Sequence, residues 1–345
     1  MKKSIRLFLI RVIVMSLFLS LLIFMSSAQA ESQFKVAVFV PGVTAGSPLY
    51  EQMVEGATKA VEEYSNASLK VVEGGFNQAE WPEKVTSLAA TGEYNLIVTS
   101  NPSLPFICAD VAKNFSGQKF LCVDGILSGN PQIHSLLYNQ VEQGYIVGYL
   151  GGLITKSTMS GATPELKAGM IVGQQYPAMD KMIKPGFEKG LKAVDPNITL
   201  DYRVVGNWYD ANKAAALANS MMDAGVDVIA AVAGGANQGT ISAAKERGRY
   251  VVYFDSNEYK LAPGTIIGCG VLNQKRAVYE RVKLAIEGKL IFGIAEIVGF
   301  KDGYIDFADK DPDYINNIPE DIRKEMNIVI KKMRSGELSF EVPEL

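Results

Sequence analysis

Eight short apolar runs recur along the chain: FKVAVFV, LKVVEGG, YNLIVTS, KFLCVDG, KAGMIVG, LDYRVVG, VDVIAAVAG and RYVVYFDS. Amphipathic stretches separate them, with 50–64 and 181–194 carrying apolar residues at helical spacing. Near-continuous apolar strands divided by helices predict parallel sheet covered on both faces.

The order then repeats. YEQMVEGATKAVEEY matches MIKPGFEKGLKAV in pattern, with Gly56 and Gly186 130 positions apart. KFLCVDG matches RYVVYFDS, with Asp124 and Asp255 131 apart. A nearly constant offset over strand, helix and strand predicts a doubled α/β architecture of two lobes. The expected N-terminal lobe is 31–139 plus 265–290, and the C-terminal lobe 140–264 plus 291–345, with a last helix near 320–335. A chain of 345 residues is long enough for two such cores.

The first thirty residues change the picture of location. Lys2, Lys3 and Arg6 precede an apolar run broken only by Arg11, and AQA at 28–30 is a small-x-small cleavage pattern. Residues 1–30 are expected to be an export signal peptide and the protein periplasmic; the alternative is an uncleaved membrane anchor. Without the four basic leader residues, 30 basic residues stand against 37 acidic ones, a net charge of −7. No basic cluster remains, so no nucleic-acid partner is expected. Cys108, Cys122 and Cys269 are an odd set without short spacing, favouring buried thiols over a disulfide. One histidine, His134, argues against metal sites and His-dependent catalysis. No nucleophile elbow or GxxxxGK loop accompanies Asp124 and Asp255, so neither an enzyme nor a catalytic cofactor is expected. Asp124 reads equally as a cap or turn residue.

In open parallel sheets, ligands bind at the carboxyl ends of the strands. Two facing lobes would enclose a cleft there. GNWYDANK at 206–213 puts Trp208 at such an end, before a helix that Asp210 can cap. From position alone the indole could cover a ligand or pack on its own lobe. Tyr176, after MIVGQQ, ends another strand facing the cleft, and ligand contact there is as open a question. Trp81 is expected to pack within its helix, and Phe76 can line the cleft without further support.

Several segments resemble the basic membrane protein family, the purine-nucleoside-receptor-like solute-binding proteins of ABC transporters. They are GFEKGLKAVDPNI (186–198), DAGVDVIAAVAGGANQG (223–239), FDSNEY (254–259), QKRAVYERV (274–282) and GFKDGYIDFAD (299–309). The resemblance covers nearly all of 34–342. It implies a type I periplasmic-binding-protein fold, with two doubly wound parallel-sheet lobes joined by a hinge, and an ABC permease as partner. By position it implies that Trp208 stacks on the ligand, that Asp255 binds ribose-like hydroxyls, that Lys275 contacts ligand and that Asn237 lies in a ligand loop.

One departure stands out. The family's first loop usually offers an acid, an aromatic residue and Asn, whereas PGVTAGSPLYEQM (41–53) has no acid before its helix. Leu49 or Tyr50, depending on a one-residue shift, takes the stacking position. Together with Asn101 and Asn237 as amide edges and Asp255 for hydroxyls, these residues suit a planar polycyclic ring with an imide edge and a polyol tail. Riboflavin is therefore the expected transported ligand, by similarity to the family's riboflavin-uptake members. The alternative is a purine nucleoside or another small polar solute.

Overall fold

The computed structural model describes residues 33–345; the expected signal peptide lies outside the described residues. Among the described residues, no helix is long and apolar enough to cross a membrane.

The first sheet contains β1 (Phe34–Val40), β2 (Ala67–Glu73), β3 (Leu96–Ser100), β4 (Lys119–Val123), β5 (Ile133–Tyr138) and β11 (Ala295–Val298). Its order is β11-β5-β4-β3-β1-β2, and each pair is parallel. The second contains β6 (Lys167–Val172), β7 (Thr199–Val204), β8 (Val226–Val232), β9 (Tyr250–Asp255), β10 (Ile266–Leu272) and β12 (Ile305–Phe307). Its order is β12-β10-β9-β8-β6-β7, all parallel except the β10–β12 pair. The two orders superpose strand for strand, so the repeat seen in the hydropathy pattern is a repeat of topology. The structure is the type I periplasmic-binding-protein fold expected from the sequence. Strands β3, β5 and β8 are buried along their whole length, which accounts for their largely apolar composition.

The expected lobe boundary needs correction. Residues 265–290 do not act as one unit. β10 hydrogen-bonds to β9 in the second sheet, while the helix after it, 274–286, packs on the first lobe. Nor does 291–345 belong to one lobe, because β11 pairs with β5 of the first sheet. The cause is an exchange of helices. After β5 the chain enters α4 (Gln140–Thr155), which packs on α5 (Lys184–Val194) of the second lobe. After β10 it enters α8 (Gln274–Ile286), which packs on α1 (Pro48–Glu62) of the first. Each lobe's fifth strand thus feeds a helix of the other lobe. β11 and β12, joined through 299–304, add a third crossing.

Equivalent glycines allow both helix pairs to approach closely. A Cβ at Gly56 would strike the carbonyl of Lys275, and one at Gly186 the carbonyl of Val141. Lys275 and Val141 occupy matching positions, as the sequences NQKRAVY and NQVEQGY show. The crossings are held by backbone bonds from Asn139 N–H to Val298 O and from Asn273 N–H to Tyr304 O, each 2.8 Å. Glu142 accepts from Phe300 N–H at 2.8 Å. All three cysteines are buried.

Candidate ligand cleft

The carboxyl ends of β4 and β9 carry the two acids of the repeat. Asp124 and Asp255 both adopt left-handed backbone, with φ of 55° and 77°. Few non-glycine residues accept this conformation, and Asp is among the best suited. Such strain at matching strand ends marks a site held by its surroundings.

Both acids are partly buried residues. Burial lifts Asp255 to about 6, against the lowering effect of the Gln143 amide. Gln143 Nε2 donates to Asp255 Oδ1 and to Gly270 O, both at 3.0 Å. Asp124 rises further, to about 8, through burial and then the charge of Asp255. It has no comparable donor.

Several buried oxygens near this floor have no protein partner: Asp124 Oδ1, Tyr138 hydroxyl, Gln143 Oε1 and Ser256 Oγ. Burying such atoms unpaired costs free energy, so they suit a ligand rich in hydroxyl and N–H donors.

Aromatic rings flank the floor. Trp208 rests on the backbone of Gly173, where a Cβ would clash with its ring. Its Nε1 donates to Gln174 Oε1 at 3.0 Å. Asn207 Oδ1 accepts from Tyr209 and Asp210 N–H, and Asp210 caps α6 (Ala211–Asp223) by accepting from Lys213 N–H at 2.9 Å. The loop is therefore a braced corner presenting an indole. Tyr176 lies 6.2 Å from Trp208, tilted by 50°. From the other lobe, Tyr50 stands beside Asn101 and Asp124; burial and then the Asp124 charge raise its hydroxyl pKa.

The structure thus gathers Trp208, Tyr176, Tyr50, Asn101 and Asp255 around one cleft. Three other expected residues are held by protein partners. Lys275 Nζ pairs with Glu55 at 2.8 Å with its side chain half exposed, on the first turn of a crossing helix. Leu49, like Tyr50 and Tyr176, packs at the edge of the main core, and its carbonyl accepts from Gln274 Nε2 at 2.8 Å. Asn237 is 5% exposed and uses its Oδ1 to hold Ala233 N–H at 2.7 Å, bracing its own glycine-rich turn. Trp81 is buried, with Nε1 donating to Gly75 O at 2.8 Å.

Gln143, Gln174, Tyr138 and Ser256 enter the site without being expected from sequence. Asp124 could have been found by its equivalence to Asp255. Gln143 lies on a helix that only the lobe exchange brings beneath the cleft.

A family model described as ABC transporter substrate-binding protein PnrA-like matches residues 33–339. Basic membrane protein A1 of Borrelia garinii subsp. bavariensis is 24% identical over 319 residues, covering 88% of this chain and 87% of that protein. The CD4+ T-cell-stimulating antigen of Listeria monocytogenes is 30% identical over 157 residues, 46% of this chain and 42% of the antigen. The ABC transporter nucleoside-binding protein BmpA of Lactococcus lactis is 29% identical over 152 residues, 44% of this chain and 41% of that protein. These last two matches span less than half of each relative. An ABC transporter solute-binding protein from Aeropyrum pernix superposes with a TM-score of 0.77 at 22% identity, covering 90% of this chain and 94% of that one.

Proposed function

This chain belongs to the PnrA-like family of ABC transporter substrate-binding proteins, and from that premise we propose that it captures riboflavin between its lobes and delivers it to an ABC permease. It acts as a receptor rather than an enzyme. The leader at 1–30 would place it outside the cytoplasmic membrane, in the periplasm.

One observation carries the ligand reading. The first loop, 41–50, supplies an aromatic ring and no acid, while the floor supplies Asp124, Asp255 and unpaired oxygens. A tricyclic ring can lie between Tyr50 and the Trp208–Tyr176 pair. Its imide edge meets Asp124, which can donate when protonated or accept when ionised. A polyol tail reaches Asp255, Gln143 and Ser256. Offset aromatic stacking adds about 1 kcal/mol beyond area burial, so ring size and hydroxyl donors together set the preference.

A purine nucleoside is the second reading. The Lactococcus relative, a nucleoside-binding protein by name, favours it, and so does Asp255 as an acceptor for ribose hydroxyls. Calorimetry separates the two. Riboflavin is expected to bind at least about 100-fold more tightly than adenosine, guanosine or inosine, a gap of about 2.7 kcal/mol. Phosphorylated flavins should bind more weakly than riboflavin. Nucleosides binding as tightly as riboflavin would return the chain to the second reading. A yellow protein as purified, with about one flavin per chain, would support the first.

A further inference from the structure

We propose that the two corners after β2 and β7 form a latch across the mouth of the cleft, with Gln174 as its shared acceptor. This rests on the reading that the cleft holds the ligand. The corners are counterparts in the repeat, since β2 and β7 are the same strand of each lobe. Phe76 in EGGFNQ and Trp208 in VVGNWYD are 132 positions apart, close to the offset of the two acids. Each corner is braced within its own lobe. In the first, Trp81 Nε1 donates to Gly75 O, Lys84 Nζ to Gly74 O at 2.7 Å, and Asn77 Nδ2 to Glu80 Oε1 at 2.7 Å. In the second, Asn207 and Asp210 hold the turn as described.

The two braced corners meet tip to tip. Phe76 and Tyr209 have ring centroids 6.0 Å apart, tilted by 47°. Both are large rings left well open to solvent, 47% and 64% exposed. Beside them, Gln78 Nε2 of the first lobe donates to Gln174 Oε1 of the second at 3.2 Å. The same oxygen receives the Trp208 indole N–H at 3.0 Å. One amide oxygen therefore fixes the stacking ring and ties the opposite lobe to it. Lobe closure and indole placement share a single acceptor, so a ligand that seats Trp208 correctly also presents Gln174 to Gln78. Gln174 and Gln78 are positioning residues, Phe76 and Tyr209 the apolar half of the contact.

The test uses the full-length mature protein with nitroxide labels on Glu83→Cys and Lys213→Cys, one exposed site in each lobe. Pulsed dipolar spectroscopy reads the separation of the lobes, with and without riboflavin. Gln78→Ala, which leaves the Trp208–Gln174 bond intact, is expected to move the distance distribution toward longer separations. Its riboflavin dissociation rate should rise by about three- to ten-fold, as expected for one neutral hydrogen bond, with the association rate unchanged. Gln174→Ala should do the same and also alter Trp208 fluorescence. Gln174→Glu keeps an acceptor for both donors and should restore the wild-type distribution. Unchanged distances in both Gln78→Ala and Phe76→Ala would overturn the latch. The distance measurement without ligand needs no knowledge of the ligand. If riboflavin fails to bind while Gln78→Ala still opens the lobes, the ligand reading fails and the latch stands.

Discussion

Asp124 and Asp255 occupy the same place in two copies of one fold, with the same unusual backbone, yet their chemistry differs. Asp255 has a neutral donor, Gln143, and is lifted to about 6. Asp124 has none and is lifted to about 8. Two things set them apart: the charge of Asp255 raises Asp124 further, and the exchanged helices differ. Gln143 is the fifth residue of NQVEQGY; its counterpart in NQKRAVY is Ala277, which has no donor. Asp255, with its amide donor, is the better suited of the two to accept from hydroxyls, and Asp124 the better suited to hold a proton and donate. A ligand with an acceptor edge at one end and a polyol at the other fits this asymmetry better than a symmetrical one.

The sharpest way to break the comparison is to neutralise each acid in turn. Asp255→Asn is expected to weaken riboflavin binding by roughly 2–3 kcal/mol, the range for hydrogen bonds to a charged group. The loss should be much smaller for a flavin analogue lacking the polyol tail. Asp124→Asn should cost less for both ligands, since the amide keeps a donor. Calorimetry on the two variants with both ligands reads this directly. Equal losses for both ligands in Asp255→Asn would assign Asp255 to a structural network with Gln143.

A second contrast sets Trp208 against Phe76, the matching corner residues. Trp208→Ala is expected to cost roughly 1–3 kcal/mol of binding from lost stacking and burial, with the melting temperature little changed. Phe76→Ala should cost about 1 kcal/mol or less, because its ring contributes closure contacts rather than a face for the ligand. Riboflavin affinity unchanged in Trp208→Ala would remove the indole from the site.

These contrasts also show how much was legible in the sequence. The apolar runs and their nearly constant offset pointed to β1–β4 and β6–β9, the matching halves of the two sheets, whereas the buried strand β5, IHSLLY, escaped because His134 and Ser135 interrupt its apolar pattern. Trp208 was legible as a ring at a strand's carboxyl end, but position alone left open whether it covers a ligand or packs on its own lobe. The lobe boundary was not visible, since hydropathy records that a strand or helix is buried and not which lobe buries it. The signal was present in the repeated NQ-x4-Y at 139–145 and 273–279, where each crossing begins. Lys275 shows the same limit: as the counterpart of Val141 on a crossing helix, it pairs with Glu55. Asn237 carried the right chemistry for a ligand amide, but a buried glycine-rich turn had prior need of its oxygen. Gln143 was unreadable without knowing that its helix packs against the carboxyl end of β10, beside Asp255.

The smallest expected effect, and the most direct report on the acid pair, is the dependence of stability on pH. Both carboxyls have folded-state pKa values above the ordinary value near 4, so the folded protein binds these protons more tightly than the unfolded chain. Stability without ligand should therefore fall as pH rises, beginning above about 4 and ending just above about 8. Glu142, raised by burial at the hinge, contributes in the same direction. Glu296, held at about 2 chiefly by its hydrogen bond to His134 and by Arg281, gains its stabilising effect below this window and does not mask it. The fall should appear as a progressive lowering of Tm across this window. Asp124→Asn should flatten the upper part of the curve, between pH 6 and 8, and leave the lower part to Asp255. Gln143→Leu should do the reverse: with its donor gone, the Asp255 carboxyl moves up toward Asp124 and the fall shifts to higher pH. Thermal melts of the three proteins from pH 4.5 to 9 carry the comparison. Three superimposable curves would mean that folding shifts neither acid, and the comparison would fail.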